Sequence, residues 1–164
     1  MALRTRSRLI APFTFDRSWD FDVSPDRLWA VFANTADFPR WWPWLRSFEP
    51  VSLEAGARTR CTIGPPLPYV LAVDLMVKEV QPQVFVDVMV GGDVEGPARL
   101  EITRHATGST ARLVWRLDVR RPLLRAAAGV ARPVLQWGHE WVVSNGVEQF
   151  RRTALQQVST PGLD

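Results

Sequence analysis

From Phe13 to Phe21 apolar and polar side chains alternate: Phe13, Phe15, Trp19 and Phe21 share one face, and Thr14, Asp16, Ser18 and Asp20 the other. A period of two predicts a half-buried strand, and Arg17 is its misfit, a charge on the apolar face. Ser24-Pro25 then offers an N-cap and a proline for the first helical position, so a helix carrying Leu28, Trp29 and Phe32 is predicted. Asn34-Thr35 opens a second short turn through Phe38, which Pro39 and Pro43 should stop. Six more strands are expected, roughly over residues 48–53, 58–63, 70–80, 84–90, 98–104 and 111–119. Turn chemistry separates them, as in Glu54-Ala55-Gly56, Gly64-Pro65-Pro66, Gln81-Pro82-Gln83, Gly91-Gly92 and Thr107-Gly108-Ser109. Connections this short make antiparallel hairpins rather than crossovers.

From about Leu123 to Leu155 the period becomes helical. Pro133 lies inside this stretch and predicts a break or kink, because it removes a backbone bond at a cost of ~3 kcal/mol. The piece beyond it, about 20 residues or about 30 Å, is long enough to cross a sheet. The fold class is therefore α+β. A curved antiparallel sheet of about seven strands wraps around a long C-terminal helix, with two short helices after the first strand.

Composition adds boundaries. The chain has 164 residues, enough for one domain with a real core. Residues 13–155 make that domain, between a flexible basic tail over 1–12, with Arg4, Arg6 and Arg8, and a second tail over 156–164. The net charge is +3, and the pI near 9.9 reflects arginine, since Lys78 is the sole lysine. The arginines are scattered among carboxylates rather than clustered, which argues against nucleic acid as a partner. One cysteine, Cys61, excludes an internal disulfide and a cysteine-based zinc site. No apolar run approaches the ~20 residues of a membrane span, so no integral membrane association and a cytoplasmic location are expected. No glycine loop for phosphates and no metal-ligand cluster is present, so no cofactor is expected.

The order of elements, together with three stretches, resembles the START-like (helix-grip, SRPBCC) superfamily, and in particular its polyketide cyclase/dehydrase-like branch. Those stretches are Val23-Ser24-Pro25-Asp26-Arg27-Leu28-Trp29 leading to Phe38-Pro39-Arg40-Trp41-Trp42-Pro43, then Gly92-Asp93-Val94-Glu95-Gly96, and Trp137 through Gly146. The last is similar to an Asn-His-Asp-Trp helix segment of that branch, with Gly138 where asparagine is usual. The resemblance implies a deep cavity between sheet and helix for a hydrophobic ligand. Lipid carriers, hormone receptors, ubiquinone-binding proteins and aromatase/cyclases share the fold, so it identifies no reaction.

Tryptophan is the conspicuous residue, with eight against a single tyrosine. Trp41, Trp42 and Trp44 form one group; Trp137 and Trp141, four apart, form another. On the C-terminal helix, Leu135, His139, Val142, Val143, Gly146 and Phe150 share one face, and Val130, Val134, Trp137 and Trp141 the opposite one. We take the first as inward, because Gly146 permits close approach to the sheet. His139 then faces the cavity, either as a core histidine bonded to a carbonyl or as a ligand contact. Trp137 and Trp141 would each bury about 150–250 Å², worth roughly 4–6 kcal/mol, and so need cover. They complete the core, form a portal under Trp41, Trp42 and Trp44, or meet a partner subunit such as that of a homodimer.

Carboxylates are absent three and four residues from His139, which leaves a hydrolytic triad without its acid. The remaining catalytic candidates are Arg17, Asp87 and His139. A buried Arg17 needs a carboxylate or a ligand oxygen, and Asp87 is one partner for it unless Arg17 snorkels to a strand edge and Asp87 faces water. The expected ligand-binding set is Trp19, Cys61, Trp115, His139 and Val143, with Trp41 and Trp42 near the mouth and Trp137 and Trp141 beside them. Three functions follow from these readings. The first is a binder of a hydrophobic, lipid-like or aromatic molecule. The second is an aromatase/cyclase or dehydratase, a lyase or isomerase without metal or nucleotide, with Arg17 and His139 in one cavity. The third is a partner- or membrane-docking module with exposed tryptophans.

Overall fold

The computed structural model describes residues 11–155, so the expected tails lie outside the described residues, apart from Ala11 and Pro12. Seven strands form one antiparallel sheet: β1 (Phe13–Phe21), β2 (Leu45–Phe48), β3 (Arg58–Ile63), β4 (Leu71–Gln81), β5 (Phe85–Gly92), β6 (Val94–His105) and β7 (Gly108–Val119). Their spatial order is β1-β7-β6-β5-β4-β3-β2, so the first and second strands are the two edges. Helix α1 (Pro25–Ala33), a 3-10 turn (Thr35–Asp37) and the short helix α2 (Phe38–Trp41) connect them. Helix α3 (Pro122–Gln149) follows the sheet and ends in a π-helical turn (Phe150–Leu155). This is the helix-grip fold expected from the sequence.

Side-chain alternation decides which sheet face meets α3. Phe15 and Phe21 of β1, Ala111 of β7, Ile102 of β6, Val86 and Val90 of β5, Val73 and Val77 of β4 and Cys61 of β3 are all buried. On the opposite face, charges are paired across strands. Arg99 grips Asp87 through two bonds of 2.6 Å and reaches Glu101, and Arg112 links Glu101 to Asp16. These partners hold the carboxyls of Asp87 and Asp16 below their ordinary value of 3.8.

Three local expectations are corrected. The second strand lies at Leu45–Phe48, not at 48–53, because Val51 is claimed by the 3-10 turn: Thr35 Oγ1 donates to Val51 O at 2.6 Å and accepts from Val51 N at 2.9 Å. Pro39 does not stop a helix; it occupies the first turn of α2, where a missing N–H costs nothing. The C-terminal helix also continues through Pro133, whose ring is exposed. Its irregularity comes later, where the Phe150 N–H is shared between the Gly146 and Val147 carbonyls and the ladder widens into the π-turn.

That junction is where the helix is fastened. Phe150 is 2 % exposed and its ring meets Phe21, Phe32 and Trp41 at 5.7, 4.6 and 5.5 Å. Trp42 Nε1 donates to Gly146 O at 2.9 Å, and Trp44 Nε1 to Gln149 Oε1 at 3.1 Å. Gly146 does permit a close approach, but of indoles rather than the sheet: a Cβ there would stand 3.3 Å from the Trp44 ring.

Candidate functional site

A cavity of about 360 Å³ lies between the sheet and α3. Its origin is a size gradient along the cross-strand rows. One row pairs Phe15 with Trp115, Trp115 with Ala98, and Ala98 with Val88. Large rings fill the β1–β7 end, while alanine and valine leave space under the helix. Val73, Leu75, Val90, Leu113 and Leu117 complete the floor, and Gly138, His139, Val142 and Val143 form the roof. Pro65 and Tyr69, from the loop between β3 and β4, close one side. Among the described residues, no Asp, Glu, Lys or Arg contributes to the wall.

The polar groups on this wall are few. His139 stands edge-on to Phe15 and Trp115, with ring centroids 5.1 and 4.9 Å away, and Phe15 and Trp115 stack at 4.5 Å. His139 Nε2 and Trp115 Nε1 are both buried and have no hydrogen-bond partner among the described residues. Burial lowers the pKa of His139 from 6.5, and Arg17 adds to the fall against the opposing charge of Glu140, so the ring is neutral at pH 7. Burial also raises the Tyr69 phenol above its ordinary value of 10.0. A third unpaired atom, His105 Nε2, belongs to the β6–β7 hairpin, 4.0 Å from Asp20.

Two of the loop residues were not foreseen. Tyr69 and Leu67 rest on α3 at Gly138, where a Cβ would come within 2.7 Å of Leu67 Cδ1 and 2.9 Å of the Tyr69 hydroxyl. Glycine in place of the usual asparagine thus lets the loop seat directly on the helix. The signal was present in the apolar character of Gly64-Pro65-Pro66-Leu67-Pro68-Tyr69, since a solvated loop is ordinarily polar.

The structure separates the catalytic candidates. Arg17 is half-exposed at the edge strand and contacts both oxygens of Glu140 on α3 at 3.1 Å. It does find a carboxylate, but neither Asp87 nor the cavity. Asp87 faces away on the outer surface with Arg99. The arrangement required for the Arg17–His139 enzyme, with both side chains in one cavity, is therefore absent.

Among the expected ligand-binding residues, Trp115, His139 and Val143 line the cavity. Trp19, Trp41 and Trp42 instead belong to the core around Phe150, and Cys61 to a second cluster with Leu45, Val73 and Val90. Burial pushes the Cys61 thiol up to about 11, with the charge of Asp74 adding to it. Trp137 is 52 % exposed and Trp141 is half-buried, and no ring pair joins either of them to Trp41, Trp42 or Trp44 among the described residues. No group of three or more His, Cys, Asp or Glu comes together among the described residues, and no described helix is long and apolar enough to cross a membrane.

A family model described as polyketide cyclase/dehydrase and lipid transport matches residues 12–156. The chain belongs to this family. Solved structures similar to this polyketide cyclase/dehydrase family member include the Zhui aromatase/cyclase from Streptomyces sp. R1128. That match has a TM-score of 0.72 and 13% identity, over 92% of this chain and 98% of that one. A Thermus thermophilus protein matches at TM-score 0.69 and 13% identity, over 91% and 99% of the two chains. A START superfamily protein from Mycobacterium smegmatis matches at 0.65 and 11%, over 88% and 98%. At these identities the likeness is one of fold. No curated protein matches the sequence.

Proposed function

We propose that this family member binds a hydrophobic small molecule in the cavity between the sheet and α3. The observation that carries the reading is the wall itself, aliphatic and aromatic and, among the described residues, without an Asp, Glu, Lys or Arg side chain. Affinity in such a site comes from apolar burial, at about 0.8 kcal/mol per methylene, and the few polar atoms set orientation. The test is native mass spectrometry of the freshly purified protein, followed by titration with the neutral dye Nile red. A retained apolar compound, or saturable uptake of the dye at one site, is expected. A folded protein that retains nothing and takes up no dye overturns the proposal.

One observation favours a second reading, an aromatase/cyclase or dehydratase. Burial keeps His139 neutral, and a neutral imidazole is a competent proton acceptor. Without Arg17 in the cavity, that chemistry rests on His139, with Tyr69 and Trp115 also on the wall. Turnover of a polyketide-like substrate that survives in His139→Gln removes this reading.

A further inference from the structure

Helix α3 is apolar on the side that roofs the cavity, as its place in the fold requires, and it is apolar again on the side turned to solvent. Leu123 is 72 % exposed and Trp137 52 %, and Ala126 and Pro133 are exposed as well. At about 100° per residue these four positions fall within an arc of about 80°. No charged residue shares that arc between Leu123 and Trp141. The loop between β3 and β4 runs beside this stripe: Leu67 and Tyr69 rest on Gly138, and Arg121 Nη1 donates to Val70 O at 3.0 Å. Pro66, Pro68 and Val70 of the same loop are left facing solvent, and the loop holds no charged residue. The free side of a surface helix is ordinarily charged or polar, so an apolar stripe next to an apolar loop marks an interaction surface.

We propose that this surface seats α3 and the β3–β4 loop in the interfacial layer of an anionic lipid bilayer. The charges around it select that partner. Arg132 donates from Nη1 to Ala11 O at 3.2 Å with its guanidinium over the Phe13 ring, and Arg125 lies on the same flank of the helix. The chain reaches Ala11 through a stretch that carries Arg4, Arg6 and Arg8 and no Asp or Glu. Of the carboxylates that meet α3 here, Asp93 is paired with Arg121 and Glu140 with Arg17. Apolar area and arginines together are the two signals that peripheral attachment needs, and each arginine near an anionic surface is worth about fivefold in partition. Tryptophan suits the headgroup level, where its ring is buried and its N–H stays wet. No described helix is long and apolar enough to cross the bilayer, so α3 lies in its plane. A second copy on this face would set the same arginines against one another, whereas lipid phosphates neutralise them.

Flotation of the whole chain with two kinds of vesicle tests this, phosphatidylcholine alone and phosphatidylcholine with one-quarter phosphatidylglycerol. Partition to the anionic vesicles is expected to exceed that to phosphatidylcholine by at least ~25-fold, from two or more arginines at about fivefold each. Leu123→Ser and Trp137→Ser should each lower it about tenfold through the apolar area no longer buried. Nile red uptake in the absence of vesicles should stay the same in both variants, since neither residue lines the cavity. A folded protein that floats with neither vesicle, floats equally with both, or floats as well in the two variants overturns the inference and leaves the cavity reading intact. Self-association in sedimentation velocity that is lost in Trp137→Ser, without flotation, gives the face to a second copy and overturns the lipid assignment. Flotation without dye uptake supports this surface and overturns the cavity reading instead. The comparison of the two vesicles, and Leu123→Ser at a more exposed position, decide the matter even if Trp137→Ser does not fold.

Discussion

The fastening of α3 by the Trp42 indole is the contact whose removal is most informative. In Trp42→Phe the hydrogen bond to Gly146 O, 2.9 Å long, is lost at the point where the helix changes from α to π. Gly146 O still accepts from the Phe150 N–H, so it is not orphaned, and the loss of the bond is worth about 1 kcal/mol. The smaller ring also gives up contact with Trp44, Phe38 and Phe150, whose centroids lie 5.7, 4.9 and 6.5 Å away. Shrinking a packed ring in this way adds about 1–2 kcal/mol. A total of about 2–3 kcal/mol corresponds to a fall in Tm of roughly 5–10 °C for a chain of this size. Urea denaturation at equilibrium, read by circular dichroism, measures it. Trp44→Phe is the internal control: its partner, the Gln149 side chain, can turn to water, so the loss should stay near 1 kcal/mol. If Trp44→Phe costs as much as Trp42→Phe, the α-to-π junction is not the fastening point and the reasoning fails.

Three other outcomes follow from the site. The folded pKa of His139 lies below 6.5, so its contribution to stability is complete above that value and is lost as pH falls below it; His139→Leu should flatten this limb in urea titrations between pH 7.5 and about 5. Arg17→Leu should change stability by less than about 1 kcal/mol, since both partners are half-exposed, and should leave Nile red affinity unchanged; a tenfold loss of affinity would return Arg17 to the cavity. Gly138→Ala gains up to about 1 kcal/mol of helix propensity but forces Leu67 and Tyr69 off the helix, so stopped-flow release of bound dye should be faster at little change in Tm.

The fold was readable because its signals are local and periodic. Alternation in β1, the Ser24-Pro25 cap and the helical phase of His139, Gly146 and Phe150 each specify a face, and a face is enough to order the layers. Arg17 was visible as an anomaly, but its partner Glu140 is 123 positions away and shares no pattern with it. The tryptophans misled for a related reason. Their abundance suggested a lined pocket, yet Trp19, Trp41 and Trp42 fill the core at Phe150, and the cavity opens where Ala98 and the valines are small. Residue type tells which positions are buried; it does not tell which are buried against side chains and which against space. That depends on summed volumes along rows such as Phe15, Trp115, Ala98 and Val88, which only strand pairing defines.

The strand order has a consequence for the protein during its synthesis. β1 is made first but pairs only with β7, and Asp16 meets Arg112 across 96 positions of sequence. At roughly 5–20 residues per second, β1 waits on the order of 5–20 s for its only neighbour in the sheet. Throughout that interval a ribbon carrying Phe13, Phe15, Trp19 and Phe21 on one side has no sheet to join. The charges it carries, Asp16 and Asp20 on its polar side and Arg17 on its apolar one, are then its main protection against pairing with the same ribbon of another nascent chain. Neutralising those charges is expected to lower the yield of folded protein far more than it lowers the stability of the molecules that do fold.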